Sequence, residues 1–360
     1  MSAISQLTGR DGPGNAIGRR LMLGLSMLTM MSALGMSALP MSAMASGPSN
    51  THSSANNTNG RIAWGQFIPY TGFGIFSVEP NGSDLRQLTF PDPGAFDDSH
   101  ANWSPDGSRI IFERDYTDDQ AWQIFRVNAD GHGLIQLGDC TGDCLSDAFP
   151  AYSPDGKKIA FIRFIGPVRA DNNATSGGVW IMNANGSNPM QITQLDLPTV
   201  TENYTPNWSP DGRRLVFTQA NLVAEPLGRQ AVFVANVDGS GKHRITPWEL
   251  DATDGDWSPD GTEILVTSHH DIVPPGKEQL YMVHPDGSHL VKVIPKGLTH
   301  PANIGGKFSP DGQKIVFRHQ SGPYSDPISL AYTMNLDGSN VKLVLLLDVF
   351  VDAPNWGTHP

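Results

Sequence analysis

The chain has 360 residues, 24 Lys and Arg against 36 Asp and Glu, and a formal net charge of −12 at pH 7. That acidity excludes a nucleic-acid surface, whose phosphates would be repelled, and an anionic-lipid surface, and it leaves cationic or neutral partners open. The 39% hydrophobic content supports a packed core.

The first 45 residues read as an export address. Arg19 and Arg20 precede a stretch from Leu21 to Ala45 rich in Leu, Met, Ala and Ser, which ends in Ala43-Met44-Ala45, an Ala-x-Ala cleavage pattern. The paired arginines are similar to a twin-arginine signal, with Sec export and an uncleaved anchor as the alternatives. Residues 46–60, rich in Ser, Asn and Thr, are expected to be a disordered linker. Without the signal the formal charge becomes −14, because Arg10, Arg19 and Arg20 leave together with Asp11.

From residue 61 the chain repeats. An aromatic residue runs into Ser-Pro-Asp-Gly at Trp103, Tyr152, Trp208, Trp257 and Phe308, and a degenerate copy stands at Asn355-Trp356-Gly357. These aromatic positions are 49, 56, 49, 51 and 48 residues apart, the period of a unit that buries its apolar face only by stacking on neighbours. Pro sets the first corner of a tight turn and Gly supplies the left-handed residue. An alternating run follows each turn, as in Arg109-Ile110-Ile111-Phe112, and predicts a half-buried strand. Further on, a second hairpin turn recurs six times, at Asn81-Gly82, Asp130-Gly131, Asn185-Gly186, Asp238-Gly239, Asp286-Gly287 and Asp337-Gly338.

The earliest of these second turns has no first turn before it. Arg61-Ile62-Ala63-Trp64 therefore opens the ordered region as a second strand, and Ala353 to Gly357 closes it as a first strand. Pairing the two predicts an all-β, six-bladed β-propeller over residues 61–357 whose N- and C-terminal strands share one blade.

The aromatic-Ser-Pro-Asp-Gly repeat resembles the WD-like repeat of the TolB-like propeller family, over nearly all of the chain after residue 60. The resemblance implies a propeller, and propellers of this kind serve as protein-binding scaffolds, as gating domains of oligopeptidases and as polysaccharide-degrading enzymes. Residues 46–60 are too few for the α/β domain that precedes the propeller in TolB, and no Gly-x-Ser-x-Gly elbow marks a hydrolase domain. The expectation is an exported, periplasmic or extracellular, non-enzymatic monomer. It would bind a protein or a cell-envelope polymer, with no nucleic acid, no membrane insertion after signal cleavage and no cofactor. The alternative is a lyase or hydrolase acting on a saccharide at the channel mouth.

The residues just before each inner aromatic are expected to line that mouth: Asp98, His100, Asp147, Glu202, Tyr204, Asp254, His300 and Asp352 form the candidate ligand-binding set. Such a ring focuses a negative potential that attracts a cation, an amine or a basic peptide segment; the competing reading has these acids capping turns in water. The turn residues Asp106, Asp155, Asp211, Asp260 and Asp311 are expected to satisfy local backbone donors. His269, His270, His319, His100 and His300 would make a metal site only if their loops converge, and no metal is expected. Cys140 and Cys144, four residues apart in a loop, are expected to form a small disulfide in an oxidising compartment.

Overall fold

The computed structural model describes residues 59–358 apart from 69–71, 92–94, 117–120, 167–175, 194–202, 222–228, 270–277, 299–301, 322–327 and 345–353. The signal and most of the linker expected from the sequence lie outside the described residues. Within them the chain is almost wholly β, with one short 3-10 turn at Trp248–Leu250. No helix among the described residues is long and apolar enough to cross a membrane.

The strands come in a repeated order. The first repeat holds β1 (Asn59–Ile68), β2 (Gly72–Val78) and β3 (Arg86–Gln87), and the second β4 (Ala95–Trp103), β5 (Arg109–Tyr116), β6 (Ala121–Asn128) and β7 (Ile135–Leu137). The third is β8 (Cys144–Tyr152), β9 (Lys158–Ile165), β10 (Ser176–Asn183) and β11 (Met190–Gln191). The fourth is β12 (Asn203–Trp208), β13 (Arg214–Asn221), β14 (Arg229–Asn236) and β15 (His243–Arg244). β16 (Ala252–Trp257), β17 (Ile264–Ser268), β18 (Gln279–Val283) and β19 (Val291–Val293) make the fifth. β20 (Ala302–Phe308), β21 (Lys314–Ser321), β22 (Ile328–Asn335) and β23 (Lys342–Leu343) make the sixth, and β24 (Asn355–Thr358) ends the chain.

Each repeat is an antiparallel meander in chain order. A single parallel bridge, Phe73 to Asp97, joins the first two repeats into one eight-stranded sheet. β24 returns to pair with β1, placing Trp356 opposite Ile62 and Asn355 opposite Ala63, so Trp64 and Trp356 lie in one sheet. The Trp356 indole N–H donates to the Gly60 carbonyl at 3.0 Å, and β1 starts at Asn59, two residues earlier than the sequence suggests. The outermost strand of every repeat is only two or three residues long, a length that leaves little unpaired edge for another chain to extend.

The turns are built as their residues dictate. The Asp106 carboxylate accepts from the Ser104 hydroxyl at 2.6 Å and from the Ser108 amide at 3.0 Å, and Asp155, Asp211, Asp260 and Asp311 repeat the serine bond. The Ser104 hydroxyl and the Ser108 amide hold the Asp106 carboxyl below its ordinary range. Gly107 takes φ 68°, a left-handed value that favours glycine.

Apolar faces stack between consecutive repeats. Ala63, Ile75 and Leu88 pack on Trp103, Ile110 and Phe112; Ile111, Ile124 and Leu137 pack on Tyr152, Ile159 and Phe161. The same arrangement continues through Trp208, Trp257 and Phe308. Val316, Ala331 and Val344 of the sixth repeat then pack with Ile62, Trp64, Phe76 and Val78 of the first, with Trp356 among them. At the joint between β24 and β4, a Cβ on Gly357 would stand 2.5 Å from the Trp103 ring, so only glycine lets the indole lie on that backbone.

Candidate functional site

The inner strands carry the candidate site. In β4, β8, β12, β16 and β20 the pairing register shifts just before the aromatic, between Ser99 and Asn102, Ala148 and Ala151, Tyr204 and Asn207, Thr253 and Asp256, and Ile304 and Lys307. Each shift is a β-bulge centred three residues before the aromatic. There His100, Phe149, Thr205, Asp254 and Gly305 take φ of 53°, 54°, 48°, 61° and 61°. A left-handed conformation costs a non-glycine residue on the order of 1–3 kcal/mol, and most of all a β-branched one such as Thr205. The bulge re-aims these side chains, and all five residues line one cavity of about 60 Å³, room for a few waters, together with Asn207, Lys307 and Asn355.

Bonds from the same repeat and from the preceding one hold the bulges. Glu113, buried on β5, takes the His100 Nδ1 at 2.7 Å on one oxygen and accepts from the Phe149 amide at 2.8 Å on the other. The His100 ring meets Phe149 edge-on at 4.5 Å. At the matching place in β17, the Thr267 hydroxyl accepts from the Gly305 amide at 3.0 Å. One residue before each aromatic, Asn355, Asn102 and Asp256 accept the amides of Trp103, Tyr152 and Phe308 in the next repeat. Burial pushes the Asp256 carboxyl up, against the Lys307 amine 3.5 Å away, the Phe308 amide and the Asn207 side chain.

Asp98 and Asp147 are buried and do not line the cavity. Asp98 is fully buried and takes both Arg114 Nε, at 2.6 Å, and Nη2, at 2.8 Å, while the Thr89 hydroxyl donates to it at 2.6 Å. Asp147 takes Arg163 Nε and Nη2, both at 2.7 Å. Burial raises the Asp147 carboxyl above its ordinary range despite that guanidinium. Arg114 lies over the Phe125 ring at 4.9 Å and Arg163 over Trp180 at 5.1 Å, so each cation is held by its carboxylate and by aromatic faces. Asn303 and the His319 Nδ1, 2.9 Å apart, occupy the same two positions in the sixth repeat. Cys140 and Cys144 are joined in a disulfide, and the Cys144 sulfur lies 3.7 Å from the Asp147 carboxylate.

Of the eight residues singled out in the sequence, His100 and Asp254 thus meet at the cavity, and Asp98 and Asp147 are buried in ion pairs. The Tyr204 backbone lies in β12 opposite Thr218, next to cavity-lining Thr205. Glu202, His300 and Asp352 lie outside the described residues. His269 approaches the Thr253 hydroxyl at 2.9 Å and His319 bonds Asn303, so these two histidines and His100 each bond within their own sheet. Sequence reasoning missed Glu113, Phe149, Thr205, Asp256 and Lys307. Counting back one and three residues from each aromatic finds all but Glu113.

An all-β meander repeated around a cavity lined by inner strands defines a propeller of the TolB type. The sequence profile of the TolB beta propeller domain matches residues 148–358, and the chain belongs to that family. An uncharacterised protein of Agrobacterium fabrum is 27% identical over 191 residues, which cover 49% of this chain and 57% of that protein's length. The crystal structure of TolB from Acinetobacter baumannii superposes with a TM-score of 0.61 at 18% identity, covering 83% of this chain and 66% of that one. Oligogalacturonate lyase from Vibrio parahaemolyticus superposes with a TM-score of 0.51 at 13% identity, covering 76% of this chain and 71% of that one. At these identities the structural likeness is one of fold.

Proposed function

We propose that the chain is an exported, non-enzymatic scaffold: a monomeric six-bladed ring, closed by β1 and β24, that binds a partner protein through its channel mouth. Residues 1–45 act as the export signal in this reading, and the following residues as a linker. The packing of Val316 and Val344 on Ile62 and Trp64 supports closure of the ring.

One observation carries the binding role. Asp98, Asp147 and Asp256 are committed to Arg114, Arg163 and Lys307, so they fix the inner strands. The bulges meanwhile present a different side chain in each repeat, from His100 to Asp254. A rigid frame with varied residues at one mouth suits recognition, and the net charge of −14 left once the signal is removed favours a cationic segment of the partner. The test is binding of a hexalysine peptide, followed by fluorescence anisotropy at low and high salt, with the wild-type chain and Asp254→Asn. The expected result is salt-sensitive binding that weakens severalfold in the variant. Equal binding by both proteins, or turnover of an oligosaccharide panel by the wild type, would overturn the scaffold reading.

A further inference from the structure

The turn end of the fifth repeat departs from every other repeat at three positions at once. Six residues after the inner aromatic stand Arg109, Lys158, Arg214 and Lys314 in the second, third, fourth and sixth repeats, and Glu263 in the fifth. The residue that ends the third strand is Asn128, Asn183, Asn236 and Asn335 in those repeats, and His284 in the fifth. Five residues later, a position that is left-handed in all six repeats carries Asp84, Gly133, Asn188, Gly241 and Asn340, and in the fifth His289, at φ 57°. The pairing of Ile264 with Val283 brings these three changes to one corner.

The corner's geometry fits a cation. The Glu263 Oε1 lies 3.2 Å from the His284 Nε2, the imidazoles of His284 and His289 are 4.9 Å apart, and one ligand atom from each residue falls within 4.8 Å of the others. Two ligands of a tetrahedral Zn²⁺ stand about 3.3 Å apart, given bond lengths of about 2.0–2.1 Å. His289 is exposed, so its ring is free to close the remaining distance. The second oxygen of Glu263 is buried and accepts no hydrogen bond.

The other repeats show how His284 is oriented. In the third, fourth and sixth repeats the Asn side-chain amide donates to the turn serine, at 2.9 to 3.0 Å, and His284 places Nδ1 3.1 Å from the corresponding Ser288 hydroxyl. The Ser288 amide donates to Asp286 at 2.9 Å. By analogy with those Asn amides, Nδ1 is the nitrogen set to donate to Ser288, as in metal-bound histidines whose second nitrogen is fixed by an outer hydrogen bond, and Nε2 is the nitrogen that faces the Glu263 carboxylate. At 3.2 Å the carboxylate and this nitrogen share either a proton, as an imidazolium pair, or a bound cation.

We propose that Glu263, His284 and His289 form a divalent-metal site of the Zn²⁺ class at the turn end of the fifth repeat, with water completing the coordination. Two histidines and a carboxylate suit a borderline metal of this kind better than Mg²⁺ or Ca²⁺, which prefer all-oxygen sets. The site lies at the hairpin-turn end of its sheet and is independent of the role proposed for the channel.

The test is calorimetric titration of ZnCl₂ into the untagged, metal-stripped full chain, with His284→Asn, His289→Asn and His243→Asn as variants. The first two install residues that the same positions carry in other repeats, so the fold is retained, which far-UV circular dichroism checks. One saturable equivalent is expected in the wild type and in His243→Asn, weakened about tenfold or more in His284→Asn and in His289→Asn. A Co²⁺ visible spectrum should be lost in parallel. No saturable equivalent, as for a plain Glu263–imidazolium pair, or wild-type affinity in the two Asn variants, would overturn the assignment.

Discussion

At its hairpin turn each of β4, β8, β12, β16 and β20 repeats the same contact: Ser104, Ser153, Ser209, Ser258 and Ser309 donate to the aspartate two residues on. Three residues upstream of the aromatic the same strands share a left-handed bulge, but its side chain changes from His100 to Phe149, Thr205, Asp254 and Gly305. The turn spends its side chains on its own backbone, so any change there loses a bond. The bulge owes its shape to neighbours such as Glu113 and Thr267, which take its backbone amides, and its side chain differs from repeat to repeat. Repetition of side chains marks what builds the repeats, and repetition of backbone alone marks where recognition can vary.

The largest effect expected on the building side comes from the buried ion pairs. Asp98→Ala leaves the Arg114 guanidinium buried beside two phenylalanines without its carboxylate and should cost about 3–5 kcal/mol in chemical denaturation. The double change Asp98→Leu with Arg114→Met should recover most of that loss, because a well-packed apolar pair replaces a buried ion pair at little or no cost. If the double variant is as unstable as the single one, the pair has a role beyond mutual neutralisation.

A turn substitution should cost less and should depend on pH. Asp106→Asn is expected to lose about 1 kcal/mol at neutral pH. The folded-state pKa of Asp106 is depressed, so its contribution is present above the ordinary value of 3.8 and is lost as pH falls through the folded value. The difference between wild type and variant should accordingly close on acidification below pH 3.8, as read from denaturation midpoints across that range. A constant difference would place the loss elsewhere than in the carboxylate.

The smallest effect should have the opposite sign. Thr205 is β-branched and left-handed, and Asn tolerates that conformation, so Thr205→Asn should raise stability by roughly 0.5–1 kcal/mol. Stabilisation here beside destabilisation at Asp106 would separate a strained, recognition-bearing backbone from a self-satisfied one. Destabilisation at both would make the bulge another structural device.

The turns and the inner aromatics were legible because Pro, Asp and Gly determine backbone shape within four residues, and the six-fold count of hairpins followed from them. The pairing of Trp356 with the first repeat was legible for the same reason: one strand was missing at each end. Asp98 and Asp147 were expected at the mouth because they stand just before an inner aromatic, but sequence position did not show that register sets them against Arg114 and Arg163 of the next strand. Asp98 pairs with Arg114 across β4 and β5 and bonds its guanidinium. The Glu263, His284 and His289 corner was not read from the sequence because its members meet only through the register of β17 and β18.

Closure of the ring by its two chain ends is most directly tested by amide hydrogen exchange in β1, comparing the full chain with one lacking residues 355–360. The account predicts that protection of Ile62 and Ala63, whose partners are Trp356 and Asn355, collapses, and that protection in β21, where Val316 packs on the first repeat, weakens with it. Unchanged exchange in both strands would contradict closure.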